Sequence, residues 1–424
     1  MPERDDLTRF SFAHLADLHL DTPFQGLRNR NPELAAALEG ASLDAWDRAV
    51  DACLDAGVDF VVIAGDVYDG EDAGARAQLR FRDGLARLSA AGVPSFVVHG
   101  NHDPRGGRWS AVKAWPDGVT IFGHDEVTSV PVIRAGEELA LVHGISYATP
   151  QVTENLAARF HRDSAFAGFQ LGLLHANVDG RGGHANYAPA TLADLRASGL
   201  DYWALGHVHA RTILSAERPL AAYPGNLQAR HPNETGEKGF LLVDVVDGVA
   251  TESFVPVGLV RFESVSLDIG ELGDLEDVQD ELMKAALTPA ERALVLRAEL
   301  RGSGPSHADL ARAGEEGLVE YLRDVAPARV WWDDVRLLTR PALDREARLR
   351  AGDFVADLLR VSDAGRQSAA QAVEQLVEEL ARHPQLRAVA DQLDLEDLVA
   401  DAEGVWDEAE TLAYDLIDAG LVEG

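Results

Sequence analysis

Short apolar runs alternate with amphipathic stretches as far as Val246. Residues 10–16 predict a strand, residues 58–64 (VDFVVIA) a buried one, and residues 95–99 a third. Between them, residues 43–56 and 75–91 carry apolar side chains at helical spacing. Each stretch meets a glycine, Gly57 and Gly92, where a helix should stop. Further apolar runs at 139–143, 169–175, 202–205, 220–223 and 239–246 predict more strands. Strands alternating with helices imply an α/β architecture with a buried sheet. The later strands follow one another more closely, which predicts two sheets face to face with helices outside them.

The pattern changes near residues 255–258. Residues 262–269, 293–301 and 330–339 read as strands, with helices at 275–287 and 308–325, a small βαβαβ unit. Trp331 and Trp332 are expected to pack that unit. After Pro341 the pattern is wholly helical, with amphipathic helices at 366–382 and 395–419. Three segments are therefore expected: 1–256, 257–341 and 342–424. In the last helix Leu398, Ala402, Val405, Ala409, Leu412 and Leu416 form a heptad-like apolar seam beside an acidic face. Such a helix either folds back on its own domain or docks on a partner.

Composition narrows the class. The chain has 424 residues, 46% apolar and 26% charged, which excludes disorder as its main state and is more than one domain of ordinary size. No run of about eighteen apolar residues predicts a membrane span. The acidic start argues against a secretory signal, and Cys53 is the lone cysteine, so no intrachain disulfide can form; a cytoplasmic location is expected. The net charge is −33, and residues 261–424 hold 17 basic against 37 acidic side chains. Such a chain repels polyphosphate at long range. If it binds nucleic acid, metal ions, a local arginine surface or a partner must supply the positive charge.

The chemistry sits where the apolar runs end. Asp17 and His19 follow the first strand, and Asp66 the second, as AGDVYD. Asn101, His102 and Asp103 follow the third, as GNHD. His175 ends LGLLH, and His207 and His209 follow WALG. Ligand-binding groups in α/β sheets lie at these strand ends. Imidazole, carboxylate and amide oxygen suit manganese, iron or zinc, and the set is large enough for two ions sharing one carboxylate. Such a pair can stabilise both attacking and leaving oxygens in phosphodiester hydrolysis. His14, His124, His143, His161, His184 and His231 fall outside these blocks and are expected to be structural or at the surface.

These blocks, D-x-H, G-D-x-x-D, G-N-H-D, H and G-H-x-H, resemble the calcineurin-like metallophosphoesterases over residues 10–246. The segment YPGN (223–226) followed by GEKGF (236–240) is similar to the SbcD-type nuclease branch. ADLHLDTPF (16–24), and the segment from Gly70 to Phe81, resemble the YhaO-type bacterial DNA repair exonucleases. The resemblance implies a four-layer α/β/β/α sandwich, a small α+β capping domain and a C-terminal helical segment. It implies that Asp17, His19 and His209 hold one metal, that Asn101, His175 and His207 hold the other, and that Asp66 bridges them. His102 would assist the leaving oxygen, with Asp103 orienting it. Asp69 stands where SbcD-type nucleases often carry His, beside the ligands, and Gly70-Glu71 replaces the arginine that Ser/Thr protein phosphatases place next.

The resemblance thus implies two divalent ions, with manganese favoured, and a DNA exonuclease subunit working with an SMC-like coiled-coil ATPase of SbcC or YhaN type. A homodimer stays open. The alternative is a phosphoesterase for small molecules or phosphoproteins with no DNA role. A third is a regulatory subunit of feeble hydrolytic power. The extra domains favour the nuclease; the acidity disfavours unaided DNA binding.

Overall fold

A computed structural model of the 424-residue chain describes residues 9–22, 35, 38, 40–70, 74–105, 110–180, 186–286, 292–341, 345–382, 399, 401–407, 409–410 and 413. Two compact units emerge. The first comprises Met1–Ser264, Pro289–Leu296 and Pro327–Asp333; the second comprises Val265–Thr288, Arg297–Ala326 and Asp334–Gly424.

In the first unit, β1 (Arg9–Leu15), β2 (Phe60–Ala64), β3 (Ser95–Val98) and β4 (Val119–Ile121) pair in parallel, in that order. β11 (Gly239–Val246) joins the other side of β1 antiparallel and carries β12 (Val249–Pro256) outside it. The second sheet is ordered β5 (Thr128–Arg134), β6 (Glu137–Gly144), β7 (Phe169–His175), β8 (Tyr202–Gly206), β10 (Leu220–Tyr223) and β9 (Thr212–Ser215). Within it β6, β7, β8 and β10 run parallel.

The two-residue period of a strand assigns each face. Phe10, Phe12, Phe60, Val62 and Ala64 meet Val142, Phe169, Leu171, Leu173 and Tyr202 between the sheets. Ala13, Leu15, Val61, Ile63 and Val97 face the opposite way. They meet Leu43, Trp46, Val50 and Cys53 of α1 (Ala41–Ala56) and Phe81, Leu85 and Leu88 of α2 (Ala75–Ala90). On the far side of the second sheet, Leu174, Trp203 and Leu205 pack with Phe160 and with Leu195 of the short α3 (Leu192–Ala197). The layers are helix, sheet, sheet, helix, as expected. Each fully buried Phe or Leu contributes about 1.5–3 kcal/mol.

One buried histidine belongs to this core. His14 donates from Nε2 to the Leu205 carbonyl (3.1 Å), and its Nδ1 accepts the Tyr202 hydroxyl (2.9 Å). Burial brings it down to about 3, so it stays neutral. His143 is likewise held by Ser129 and Gln170. Both fit the structural expectation.

The chain continues as β13 (Val260–Asp268), α4 (Leu275–Ala286), β14 (Ala293–Gly304), α5 (His307–Val325) and β15 (Val330–Pro341), with β14 central in a three-stranded sheet. Trp332 is fully buried and Trp331 packs beside Val260, Phe262 and Val295. Then follow α6 (Arg345–Ala351), α7 (Phe354–Arg366), capped by the Asp353 side chain on the Ala356 amide, and α8 (Ala369–Arg382). The helix expected at 366–382 starts three residues later. Of the last expected helix, residues 402–407 are helical; Leu398, Leu412 and Leu416 of its seam lie outside the described residues. Among the described residues, no helix is long and apolar enough to cross a membrane.

Candidate metal centre

The parallel strands β1, β2, β3, β7 and β8 bring their C-terminal ends to one place, and seven expected ligands collect there. Asp17, His19, Asp66, His175 and His207 are buried. Asp17, His19, Asp66 and His207 all have positive φ, between 42° and 107°. Non-glycine residues take that conformation at a cost of about 1–3 kcal/mol each, and such strain gathers at functional sites. It turns each side chain out of the strand direction and inward.

The polar backbone around the site is woven from the same residues. The Asp17 carboxylate accepts the His207 amide on both oxygens (3.0 and 3.1 Å), tying the end of the first sheet to that of the second. Asp66 Oδ1 accepts the His102 amide at 2.9 Å. Its other oxygen lies 3.4 Å from His175 Nε2 and 3.9 Å from His19 Nε2, between two groups of ligands. The first group is Asp17, His19 and His209, and the second is Asn101, His175 and His207 around the Asn101 side-chain oxygen.

The proton inventory of these contacts calls for cations. His175 Nδ1–H donates to the Ala64 carbonyl (2.9 Å), and its Nε2 faces Asn101 Oδ1 at 3.0 Å and Asp66 Oδ2 at 3.4 Å. Without metal a proton on Nε2 holds this contact; a cation bound there would replace that proton. His209 donates Nδ1–H to Glu234 (2.7 Å), leaving an Nε2 lone pair 3.2 Å from His19 Nε2. Among the described residues His19 Nδ1 is buried without a hydrogen bond, 3.7 Å from an Asp69 oxygen, the side on which its own proton belongs. Nitrogen pairs at about 3 Å suit neighbouring ligands of one ion at 2.0–2.1 Å. Burial brings His19 down to about 4, toward the neutral form that ligates, and pushes the Asp17 carboxyl up to about 6. Burial also opposes charge on His175, but Asp66 and Asp17 outweigh it and raise the imidazole to about 9, a carboxylate field that a bound cation would neutralise. The residues present fit two divalent ions.

Glycine makes the room. A Cβ on Gly206 would lie 1.9 Å from the Ala64 carbonyl oxygen, and one on Gly100 2.3 Å from Asp66 Oδ1. Both would also strike the His175 ring. The G in GNHD and the G in GHxH are therefore steric requirements.

His102 stands beside the ligands with 41% of its side chain exposed, and its partner corrects an expectation. Its Nδ1 pairs with Asp69 Oδ1 at 2.8 Å. Asp103 is buried beneath, its oxygens taken by the Gly100 and Val67 amides (2.8 and 2.9 Å) and by His99 Nδ1 (2.8 Å). Asp103 thus shapes the loop rather than orienting His102. Burial works against charge on Asp69, but His102, His19 and Arg230 outweigh it and hold the carboxyl well below the usual range. The pairing with Asp69 raises His102 against the opposing effect of burial.

Sequence reasoning missed two residues of the loop between β10 and β11. Glu234 accepts His209 Nδ1–H, the Asn226 amide group (2.9 Å) and the Arg230 backbone N–H (2.6 Å). Arg230 reaches back to Asp69 Oδ2 at 2.7 Å. A carboxylate behind a ligating histidine fixes its tautomer and ring orientation. The signal available was YPGN itself, which marks the loop without naming its acid.

Residues 10–211 match the calcineurin-like phosphoesterase family, and residues 262–340 match the middle domain of metallophosphoesterase YhaO. Over 401 residues the chain is 34% identical to the "Uncharacterized metallophosphoesterase YhaO" of Bacillus subtilis strain 168, covering 92% of this chain and 95% of that one. It is 27% identical over 286 residues to the DNA double-strand break repair protein Mre11 of Thermoplasma acidophilum, covering 63% and 70%. It is 27% identical over 273 residues to a subunit of the nuclease SbcCD of Bacillus subtilis, covering 55% and 66%. With a phosphoesterase domain matched from β1 to the last ligand block and a YhaO relative aligned over nearly its whole length, the chain belongs to the calcineurin-like metallophosphoesterases, among the YhaO-type proteins.

Proposed function

We propose that this metallophosphoesterase is a two-metal phosphodiesterase acting on DNA, an exonuclease subunit of an SbcCD-like repair complex. The observation that carries the reading is Asp66 Oδ2 lying between the two ligand groups, 3.4 Å from His175 Nε2 and 3.9 Å from His19 Nε2. Asp17, His19 and His209 would hold one ion, Asn101, His175 and His207 the other, and Asp66 would serve both. Two such ions would supply positive charge to the attacking and leaving oxygens of an in-line displacement. With four imidazoles in the set, manganese is the ion of choice over magnesium.

The protein's own part is proton transfer and alignment. His102, held by Asp69 beside the ligands and 41% exposed, is placed to give a proton to the departing oxygen. Glu234 and the Ala64 carbonyl accept from Nδ1 of His209 and His175, so that Nε2 is the nitrogen turned to the metal position. DNA as substrate draws support from the Mre11 and SbcCD relatives, and a coiled-coil ATPase partner from the second of them being one subunit of a larger nuclease. The net charge of −33 favours the other reading, a phosphoesterase for small substrates, because a chain so acidic repels a polyanion. Assaying the manganese-loaded protein on bis-p-nitrophenyl phosphate and on end-labelled linear duplex DNA separates the two. Hydrolysis of both supports the nuclease; hydrolysis of the chromogenic diester with intact DNA, with or without the ATPase, overturns it.

A further inference from the structure

Within the described residues the Arg230 guanidinium has a single protein partner, Asp69, and its Nε is buried without an acceptor. Its side chain is 21% exposed and that of Asp69 24%. Arg230 is itself anchored, because its backbone N–H is fixed by Glu234, the same carboxylate that holds His209. Asp69 has two competing neighbours for its remaining oxygen: His102 Nδ1 at 2.8 Å and His19 Nδ1 at 3.7 Å. Left alone, this carboxylate could swing toward His19 or join His19 and His102 around a cation, since their ligand atoms already cluster. Arg230 occupies Oδ2 and so fixes which oxygen faces which imidazole. In a chain this acidic, an arginine spent on one half-buried carboxylate beside the site needs a reason beyond surface pairing.

We propose that Arg230 is a positioning residue for leaving-group protonation: through Asp69 it holds His102 in the one orientation from which its proton reaches the departing oxygen. The inference rests on the phosphodiesterase reading above and names a residue that reading does not use. In the step itself, water oxygen bonds to phosphorus and the bond from phosphorus to the leaving oxygen breaks with its electron pair. The His102 proton goes to that oxygen, one water proton is released, and His102 regains its proton from solvent. The products are a phosphomonoester and an alcohol. A sugar oxygen is a poor leaving group and needs this proton; p-nitrophenolate leaves without it. The residues that serve protonation should therefore matter for one substrate and not the other.

The test compares kcat and KM for an oligothymidylate and for bis-p-nitrophenyl phosphate, with metal content measured on every protein. Arg230→Gln should lower kcat on the oligonucleotide about 30-fold, short of the roughly 10²–10⁴ that full loss of acid–base help costs, because His102 itself remains. It should change kcat on the chromogenic diester less than about threefold, leave KM unchanged and retain the wild-type metal content. Arg230→Lys should fall between. In a His102→Asn background Arg230→Gln should cost nothing further, the signature of two residues acting as one unit; Arg230→Lys, with the same two substrates, keeps the inference testable if the glutamine variant is poorly folded. Equal losses on both substrates, a raised KM with kcat intact, lost metal, or additive losses in the double variant would each overturn the assignment. If the wild-type protein hydrolyses neither diester, the phosphodiesterase reading falls and this inference with it; if His102→Asn shows the leaving-group dependence and Arg230→Gln does not, only this inference falls.

Discussion

Glu234→Gln should separate the orienting role of this carboxylate from its shape. The wild-type side chain accepts three donors, from His209, Asn226 and the Arg230 amide. Glutamine offers one accepting oxygen, and its NH₂ would oppose at least one of those donors. Burial works against charge on Glu234, yet the hydrogen bond and charge of His209 outweigh it and bring the carboxyl down to about 2 from an ordinary 4.5. A carboxyl lowered on folding stabilises the fold above its unfolded value and loses that contribution as the pH falls toward the folded one. For metal-free protein this contribution is up to about 3 kcal/mol at pH 6 and about 2 kcal/mol at pH 3.5. Urea unfolding of wild type and Glu234→Gln at both pH values should show the gap between them narrowing by roughly 1 kcal/mol on acidification. With metal, equilibrium dialysis should show about 10–100-fold weaker binding at the site of Asp17, His19 and His209, as expected when the partner behind a ligating histidine is lost. A stability gap that ignores pH, together with unchanged metal affinity, would refute the claim that Glu234 acts as a charged clamp on His209.

Three further outcomes follow from the same geometry. His102→Ala should keep its metals while turnover on DNA falls by about 10²–10⁴, measured by single-turnover cleavage; lost metal would mean that His102 is a ligand. Gly206→Ala should lower the melting temperature and metal content together, because its Cβ would fall 1.9 Å from the Ala64 carbonyl oxygen and against His175; a protein with unchanged melting and metal content would refute the packing argument. Stripping the protein with chelator should abolish hydrolysis, manganese should restore it, and magnesium should restore it poorly; full rescue by magnesium would count against an imidazole-rich ligand set.

How much of this was readable from residue order depends on what kind of contact was being read. The five ligand blocks were legible because a buried strand announces itself by apolar alternation and its end by the first polar residues that cannot be core. β4, β5, β9 and β12 were not read, because their exposed and half-buried positions break the apolar run. The pairing of His102 was misread because sequence nearness suggested Asp103, whereas the left-handed turn at Asp66 carries Asp69 across to it and the GNHD loop folds Asp103 under its own amides. Glu234 and Arg230 lie more than twenty residues past the last ligand block, in a loop whose spacing has no periodicity. Only the fold brings them against His209 and Asp69.

The central claim is that Asp66 serves two ions at once, and bound metal per chain tests it most directly. After manganese loading and gel filtration, elemental analysis should give two equivalents for the wild-type protein and one or fewer for Asp66→Asn, since the same oxygen lies 3.4 Å from His175 and 3.9 Å from His19. One equivalent in the wild type, or two retained in Asp66→Asn, would contradict the shared-carboxylate site.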